Sequence, residues 1–295
     1  MELLDGKKVA ASVKETIKQE VDELVKNGKR APHLAVILVG NNGASETYVA
    51  SKQRSCAETG ITSTLVKLEA DVSEEALLNE IRQINDNPEI DGLLVQLPLP
   101  KHINEQQVIE SIHPLKDVDG FHPVSAGNLM QGYPTFIPAT PFGVVMMLQH
   151  YNITTAGKRA VVVGRSNIVG RPMSVLLSSN TDYGNATVTI CHSRTKDLEK
   201  ICAEADILVA ALGKPGFVKA HMVKEGAVVI DVGITRVEDA GSKRGFRIKG
   251  DVDFAAVAPK TSYITPVPGG VGLMTIAGLL KNTLAAYKLN SGYTS

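Results

Sequence analysis

The sequence predicts an α/β protein of two domains, each organised around a parallel sheet. Three observations carry the prediction. At 295 residues the chain exceeds the length at which one core usually stops growing. Short apolar runs alternate with segments of helical period, the rhythm that parallel pairing requires. The rhythm halts at a proline-rich stretch (Pro134, Pro138, Pro141) and then restarts. The boundary is therefore placed there, with residues 1–140 as one domain and 141–272 as the other.

The first helix is expected over 7–27, where Val9, Val13, Ile17, Val21 and Leu24 recur at spacings of three and four. A strand follows at 34–39 and ends at Gly40. Residues 45–59 read as helix, 62–69 as extended, and 73–86 as helix with Ser73 as N-cap. Gly92-Leu93-Leu94-Val95-Gln96-Leu97 reads as a buried strand closed by Pro98 and Pro100. Beyond the prolines a helix is expected at 141–151. Then come strand 159–163, helix 171–179, strand 186–191, helix 196–204, and strands 206–211 and 227–232. Polar residues 235–250 read as a surface hairpin. The last helix, 273–290, is expected to return to the first domain, so 273–295 is counted with it.

Composition excludes several classes. Hydrophobic residues at 43% and charged residues at 21% suit an ordinary globular protein. Lys+Arg and Asp+Glu both number 31, so the basic footprint of a nucleic-acid or anionic-membrane partner is missing. Cys56, Cys191 and Cys202 are odd in number and widely spaced, which fits neither a disulfide framework nor a metal knuckle; a reducing compartment and no metal are expected. The acidic start, Met1 to Asp5, is no signal peptide, and no apolar run approaches the roughly 20 residues of a membrane span. The expectation is a soluble, cytoplasmic protein.

The segment Ala160 to Pro172 joins a buried strand to a helix through the turn Gly164-Arg165-Ser166-Asn167-Ile168-Val169-Gly170. Such a turn lets backbone N–H groups at a helix N-terminus hold a pyrophosphate. The spacing departs from G-x-G-x-x-G, because Ser166 holds the second glycine position and Gly170 comes one residue late. A plain tight turn stays open on spacing alone. The next strand ends in Cys191-His192-Ser193-Arg194-Thr195, without the carboxylate that would meet the ribose 2′-hydroxyl of NAD. Arg165 and Arg194 can instead meet a 2′-phosphate, so NADP is predicted. Cys191 and His192 read as strand-end packing, since nothing nearby completes a metal set.

In the first domain Tyr48 and Lys52 stand four apart, hence on one helix face. An ordinary reading leaves Tyr48 half-buried and Lys52 in solvent. Gln96 is odder, because a buried amide needs partners. Asp117-Val118-Asp119-Gly120-Phe121 and Pro266-Val267-Pro268-Gly269-Gly270-Val271-Gly272 read alone as a turn and a linker.

In this order, however, ETYVASK, QLPLP, DVDGF, PATP, GRSNIVGRP and PVPGGVG closely resemble the bifunctional methylenetetrahydrofolate dehydrogenase/methenyltetrahydrofolate cyclohydrolase family, over essentially the whole chain. The resemblance implies oxidation of 5,10-methylenetetrahydrofolate with NADP and hydrolysis of the methenyl product to 10-formyltetrahydrofolate. It also implies a homodimer, and a cleft between a folate-binding domain and a Rossmann-type domain. It makes Lys52 the catalytic lysine, Tyr48 a stacking partner of the folate ring, Gln96 a contact of Lys52, and Asp119 the carboxylate that holds the pterin. Gly164, Arg165, Ser166, Ser193 and Ile234 match NADP-contacting positions, with Arg194 added from its place after the strand. Thr140 and the 268–272 loop match segments lining the cleft. Val95, Leu97, Pro268, Gly269 and Gly270 join Tyr48 and Asp119 as folate contacts.

Two departures stand out. Leu273 stands where the family usually has proline, and 179–185 is a longer connection than usual. Against this reading stand a dehydrogenase without cyclohydrolase activity, a shikimate-type dehydrogenase, and a binding protein that has lost catalysis. Tyr48, Lys52 and Gln96 together oppose the first; DVDGF and PVPGGVG oppose the second; an intact Lys52 opposes the third.

Overall fold

The computed structural model describes residues 1–239, 241–242 and 245–292. In chain order the elements are β1 (Glu2–Leu3), α1 (Gly6–Lys26), β2 (His33–Val39), α2 (Gly43–Glu58), β3 (Thr62–Leu68), α3 (Glu74–Asp86) and β4 (Gly92–Val95). Then come α4 (Glu105–Ser111), α5 (Pro123–Gln131), α6 (Ala139–His150), β5 (Arg159–Val163), α7 (Gly170–Ser178), β6 (Thr187–Cys191) and α8 (Leu198–Ala203). The chain ends through β7 (Ile207–Ala210), β8 (Val228–Asp231), β9 (Thr235–Glu238), β10 (Phe246–Lys249), α9 (Phe254–Val257), β11 (Tyr263–Ile264) and α10 (Val271–Asn290).

Contacts divide the chain into two compact units, one of residues 11–139 and 276–295, the other of 1–10 and 140–275. In the first, a three-stranded parallel sheet runs in the order β3-β2-β4. Its central strand β2 is apolar and buried from Leu34 to Val39 because both of its faces are covered. Leu34, Val36 and Leu38 pack with Ile17, Val21, Leu280 and Tyr287. Ala35, Ile37 and Val39 pack on the opposite side with Leu77, Ile81 and Val108. This alternation is the two-residue period of a strand expressed as two cores.

In the second unit a six-stranded parallel sheet runs β1-β11-β8-β7-β5-β6. From β5 the chain proceeds to β6 on one side and to β7 on the other, which makes the carboxyl ends of β5 and β7 the point where strand order reverses. Residues 1–10 were grouped by sequence with the first domain; in the structure Glu2 and Leu3 pair with Tyr263 and Ile264 at the edge of this sheet. Two residues carry too little periodicity to announce such a strand. The hairpin expected over 235–250 is the antiparallel pair β9 and β10. Its residues 240, 243 and 244, and 293–295 of the last segment, lie outside the described residues.

Ser73 caps α3 as expected, accepting from Ala76 N–H at 3.2 Å. β4 stops at Val95, one residue before Gln96, although Gln96 N–H still donates to Ile37 O at 2.9 Å. The 179–185 connection is tied by its own hydrogen bonds, from Asn185 N–H to Ser179 O (2.8 Å) and Gly184 N–H to Thr181 O (3.0 Å). Leu273 lies in the first turn of α10 and donates its N–H to Gly270 O at 3.3 Å. A proline would lose that bond and otherwise fit the first turn.

Candidate active site

Asn42 starts α2 by accepting from Ala44 N–H (3.0 Å) and Ser45 N–H (3.2 Å). This phase turns Ser45, Val49, Lys52, Ser55 and Cys56 inward. Lys52 is thus 4% exposed, against the ordinary reading of a solvated lysine. Its Nζ donates to Gln96 Oε1 at 3.0 Å and lies 4.8 Å from the centre of the Tyr48 ring. Gln96 Nε2 donates to Leu97 O at 2.7 Å, which fixes the amide with its oxygen toward the lysine. Burial lowers the Lys52 pKa from the usual lysine range, while the charge of Asp119 opposes the shift. Cys56, one turn further on, is pushed up to about 12 by burial and is an inert thiol.

Asp119 is half-buried. Burial pushes its carboxyl up to about 6, with Lys52 pulling it down and Asp117 adding to the rise. The residues flanking it are anchored by side chains. Lys116 Nζ donates to Ile84 O and Asn85 O at 2.8 Å and to Asn87 O at 2.7 Å, closing the end of α3. Asp117 accepts from Phe121 N–H (3.1 Å), His122 N–H (2.9 Å) and the Ser125 hydroxyl (2.7 Å). Asn282 Nδ2 donates to Val118 O at 2.8 Å. Gly120 has φ +71°, and a Cβ there would lie 2.7 Å from Pro138 N. Asp119 lines a small pocket with Leu93, Val95, Leu97, Val108 and Phe121. The sequence had pointed to Tyr48, Lys52, Gln96 and Asp119; it gave no sign of the anchoring by Lys116, Asp117 and Asn282.

In the other unit, Gly164 follows β5 at the point where strand order reverses. Its φ is +135°, and a Cβ would lie 2.2 Å from Ala211 O. A Cβ on Gly170 would lie 2.1 Å from Gly164 O. Only glycine permits this close turn. Ser166 Oγ accepts from Val169 N–H at 3.2 Å and Gly170 N–H at 3.4 Å. Ser166 thus caps the nine-residue helix α7 from within the turn, its carbonyl oxygen also accepting from Arg171 N–H at 3.1 Å, while residues 165–168 stay exposed. These features fit a pyrophosphate.

Beyond β6, His192 N–H donates to Thr195 Oγ1 (2.9 Å) and Arg194 N–H to His192 Nδ1 (3.2 Å), a turn that leaves Ser193 and Arg194 exposed. His192 therefore serves the turn, and no cluster of metal-binding side chains occurs among the described residues. Arg165 is exposed and Ile234 is 61% exposed. Thr140 Oγ1 and Thr275 Oγ1 are 2.9 Å apart. The segment Pro268, Gly269 and Gly270 precedes α10, with Gly269 at φ +109°. Tyr48, Lys52, Val95, Gln96, Leu97 and Asp119 thus belong to one unit, and the remaining candidates to the other.

Comparison with known proteins gives a consistent result. Residues 4–119 match the model of the tetrahydrofolate dehydrogenase/cyclohydrolase catalytic domain, and residues 138–291 that of its NAD(P)-binding domain. A protein of Phocaeicola vulgatus described as bifunctional protein FolD is 58% identical over 288 residues, 98% of each chain. The crystal structure of the Campylobacter jejuni bifunctional methylenetetrahydrofolate dehydrogenase/cyclohydrolase is 48% identical with a TM-score of 0.92, covering 98% of this chain and 99% of that one. The Trypanosoma brucei dehydrogenase–cyclohydrolase, solved with NADP and an inhibitor, is 39% identical with a TM-score of 0.92, covering 98% of each.

Proposed function

The chain belongs to the tetrahydrofolate dehydrogenase/cyclohydrolase family, and from that premise we propose how its residues divide two successive reactions. The enzyme oxidises 5,10-methylenetetrahydrofolate to 5,10-methenyltetrahydrofolate with NADP, then hydrolyses the product to 10-formyltetrahydrofolate. The observation that carries the reading is a buried Lys52 amine held by a neutral amide, Gln96.

The oxidation needs no strong base. The bridging carbon lies between two nitrogens whose lone pairs stabilise the cation left behind, so the task is positioning at about 3–3.5 Å. Bound NADP supplies the hydride acceptor. Gly164, Ser166 and the start of α7 hold its pyrophosphate, and Arg165 with Ser193 and Arg194 meets its 2′-phosphate. Ile234 and Thr140 contact the same cofactor. Tyr48 lies against the folate ring, and Val95 and Leu97 of the same unit add to its surroundings. Asp119 accepts from the pterin amine and ring N–H.

Hydrolysis needs a group that takes a proton from the attacking water and later returns one to nitrogen. Lys52 suits this because burial favours its neutral form. One of its N–H bonds goes to Gln96 Oε1, which leaves the amine lone pair to face water. A carboxylate in place of Gln96 would hold the ammonium form instead. The working assembly is a homodimer in the cytoplasm, as the family resemblance implies. The test is one spectrophotometric assay on methylenetetrahydrofolate and NADP. NADPH appearing with little accumulated methenyl compound is the expected result; lasting stoichiometric methenyl compound would remove the hydrolase.

A further inference from the structure

The carboxyl edge of the six-stranded sheet holds two buried aspartates, 20 residues apart, that the reactions above do not use. Asp231 ends β8 and is 3% exposed; Asp251 is fully buried. Asp231 Oδ1 accepts from Gly233 N–H at 2.9 Å and Asp251 N–H at 2.8 Å, and Oδ2 accepts from Val252 N–H at 2.9 Å. Asp251 Oδ2 accepts from Leu212 N–H at 2.6 Å and Gly213 N–H at 2.9 Å. Its Oδ1 is buried without a hydrogen-bond partner among the described residues. A Cβ on Gly233 would lie 2.5 Å from that oxygen. Two carboxylates therefore gather the loops after β7 and β8 and the segment after β10 onto one point. Such burial is costly: Asp231 is pushed up to about 6, by desolvation first and by Asp251 in addition.

The place of this hub in the sheet gives it a meaning. β6, with its exposed Ser193–Arg194 turn, lies on one side of β5, and β7 and β8 lie on the other. A dinucleotide whose phosphates sit on the Gly164 turn reaches Arg194 one way and the 232–234 loop the other. β8 is two strands from β5, about 10 Å, within the span of half a dinucleotide.

We propose that Asp231, backed by Asp251, is a positioning residue for hydride transfer: it fixes the Gly233–Ile234 backbone on which the half of NADP beyond the phosphates rests. The proposal rests on the NADP reading above. Asp231 touches no reactant and acts through the loop. Both of its oxygens accept backbone N–H groups, so an asparagine would set an NH₂ group against one of them. That predicts a specific split. Hydrolysis of added methenyltetrahydrofolate, assayed without NADP, uses Lys52 in the other unit and has no need of this loop.

The experiment compares Asp231→Asn with the unsubstituted enzyme in both assays, together with the KM for NADP. Dehydrogenase kcat/KM for NADP is expected to fall at least about tenfold, with hydrolysis of added methenyltetrahydrofolate changed less than about twofold. Equal loss of both activities would make the aspartate a general stability element, and unchanged dehydrogenase activity would remove it from positioning; either overturns the proposal. Should Asp231→Asn fail to fold, Gly233→Ala presses on the same hub from the loop side, and its dehydrogenase is expected to fall alone. A Gly233→Ala enzyme with full dehydrogenase activity, or with both activities lowered alike, would equally overturn it. Absence of dehydrogenase activity in the unsubstituted chain would instead refute the reading on which the proposal rests.

Discussion

At Lys52 and Asp119 burial pulls both side chains toward their neutral forms, while each charge steadies the other. The sign for Asp119 follows from its raised value of about 6. Above that pH the group is a carboxylate with both oxygens free to accept pterin N–H groups; below it, a proton occupies one of them. The KM for folate is therefore predicted to rise as pH falls through about 6 and to level off above it. A folate KM that stays flat from about pH 5 to 8 would show that Asp119 does not hold the pterin. The sequence made part of this legible: the four-residue spacing of Tyr48 and Lys52 sets one helix face, and Gln96 is an amide after an apolar run. It did not show that Lys52 faces inward, because that depends on the phase set by the Asn42 cap and on what β4 brings opposite. Nor did it show Asp231 and Asp251, whose partners are backbone amides remote in sequence and carry no residue signature.

At the scale of elements, long periodic segments were readable and short ones were not. Helices α1, α3 and α10 and the buried strands β2, β5 and β8 carry enough apolar residues to declare their period. α4 and α5 went unannounced; α5 contains Gly127 and leaves Val124 and Met130 exposed, so it lacks a clear apolar stripe. α5 begins because Pro123 fits a first turn and His122 Nδ1 accepts from Val124 N–H at 3.0 Å. Lys116 ties the end of α3 to the segment that carries Asp119. Lys116→Met leaves three carbonyls without that donor and is predicted to cost about 3 kcal/mol of stability. Urea unfolding measures it; a midpoint unchanged from the parent would show that the carbonyls find other partners.

For the whole molecule, the sequence reading of two α/β parts agrees with two parallel sheets, each serving its own group of candidate residues. Zero formal net charge is consistent with the proposal that ligands are met by local groups, arginines for a phosphate and Asp119 for a pterin, rather than by a general field. No described helix is long and apolar enough to cross a membrane. The proposed division of labour makes the central claim separable, because it assigns the proton chemistry of hydrolysis to Lys52 and cofactor binding to residues of the other unit. The most direct measurement is the rate at which Lys52→Met hydrolyses added methenyltetrahydrofolate, taken beside its affinity for NADP. The account predicts hydrolysis reduced at least about a hundredfold with NADP affinity preserved. Hydrolysis at the parent rate in a variant that still binds NADP would contradict it.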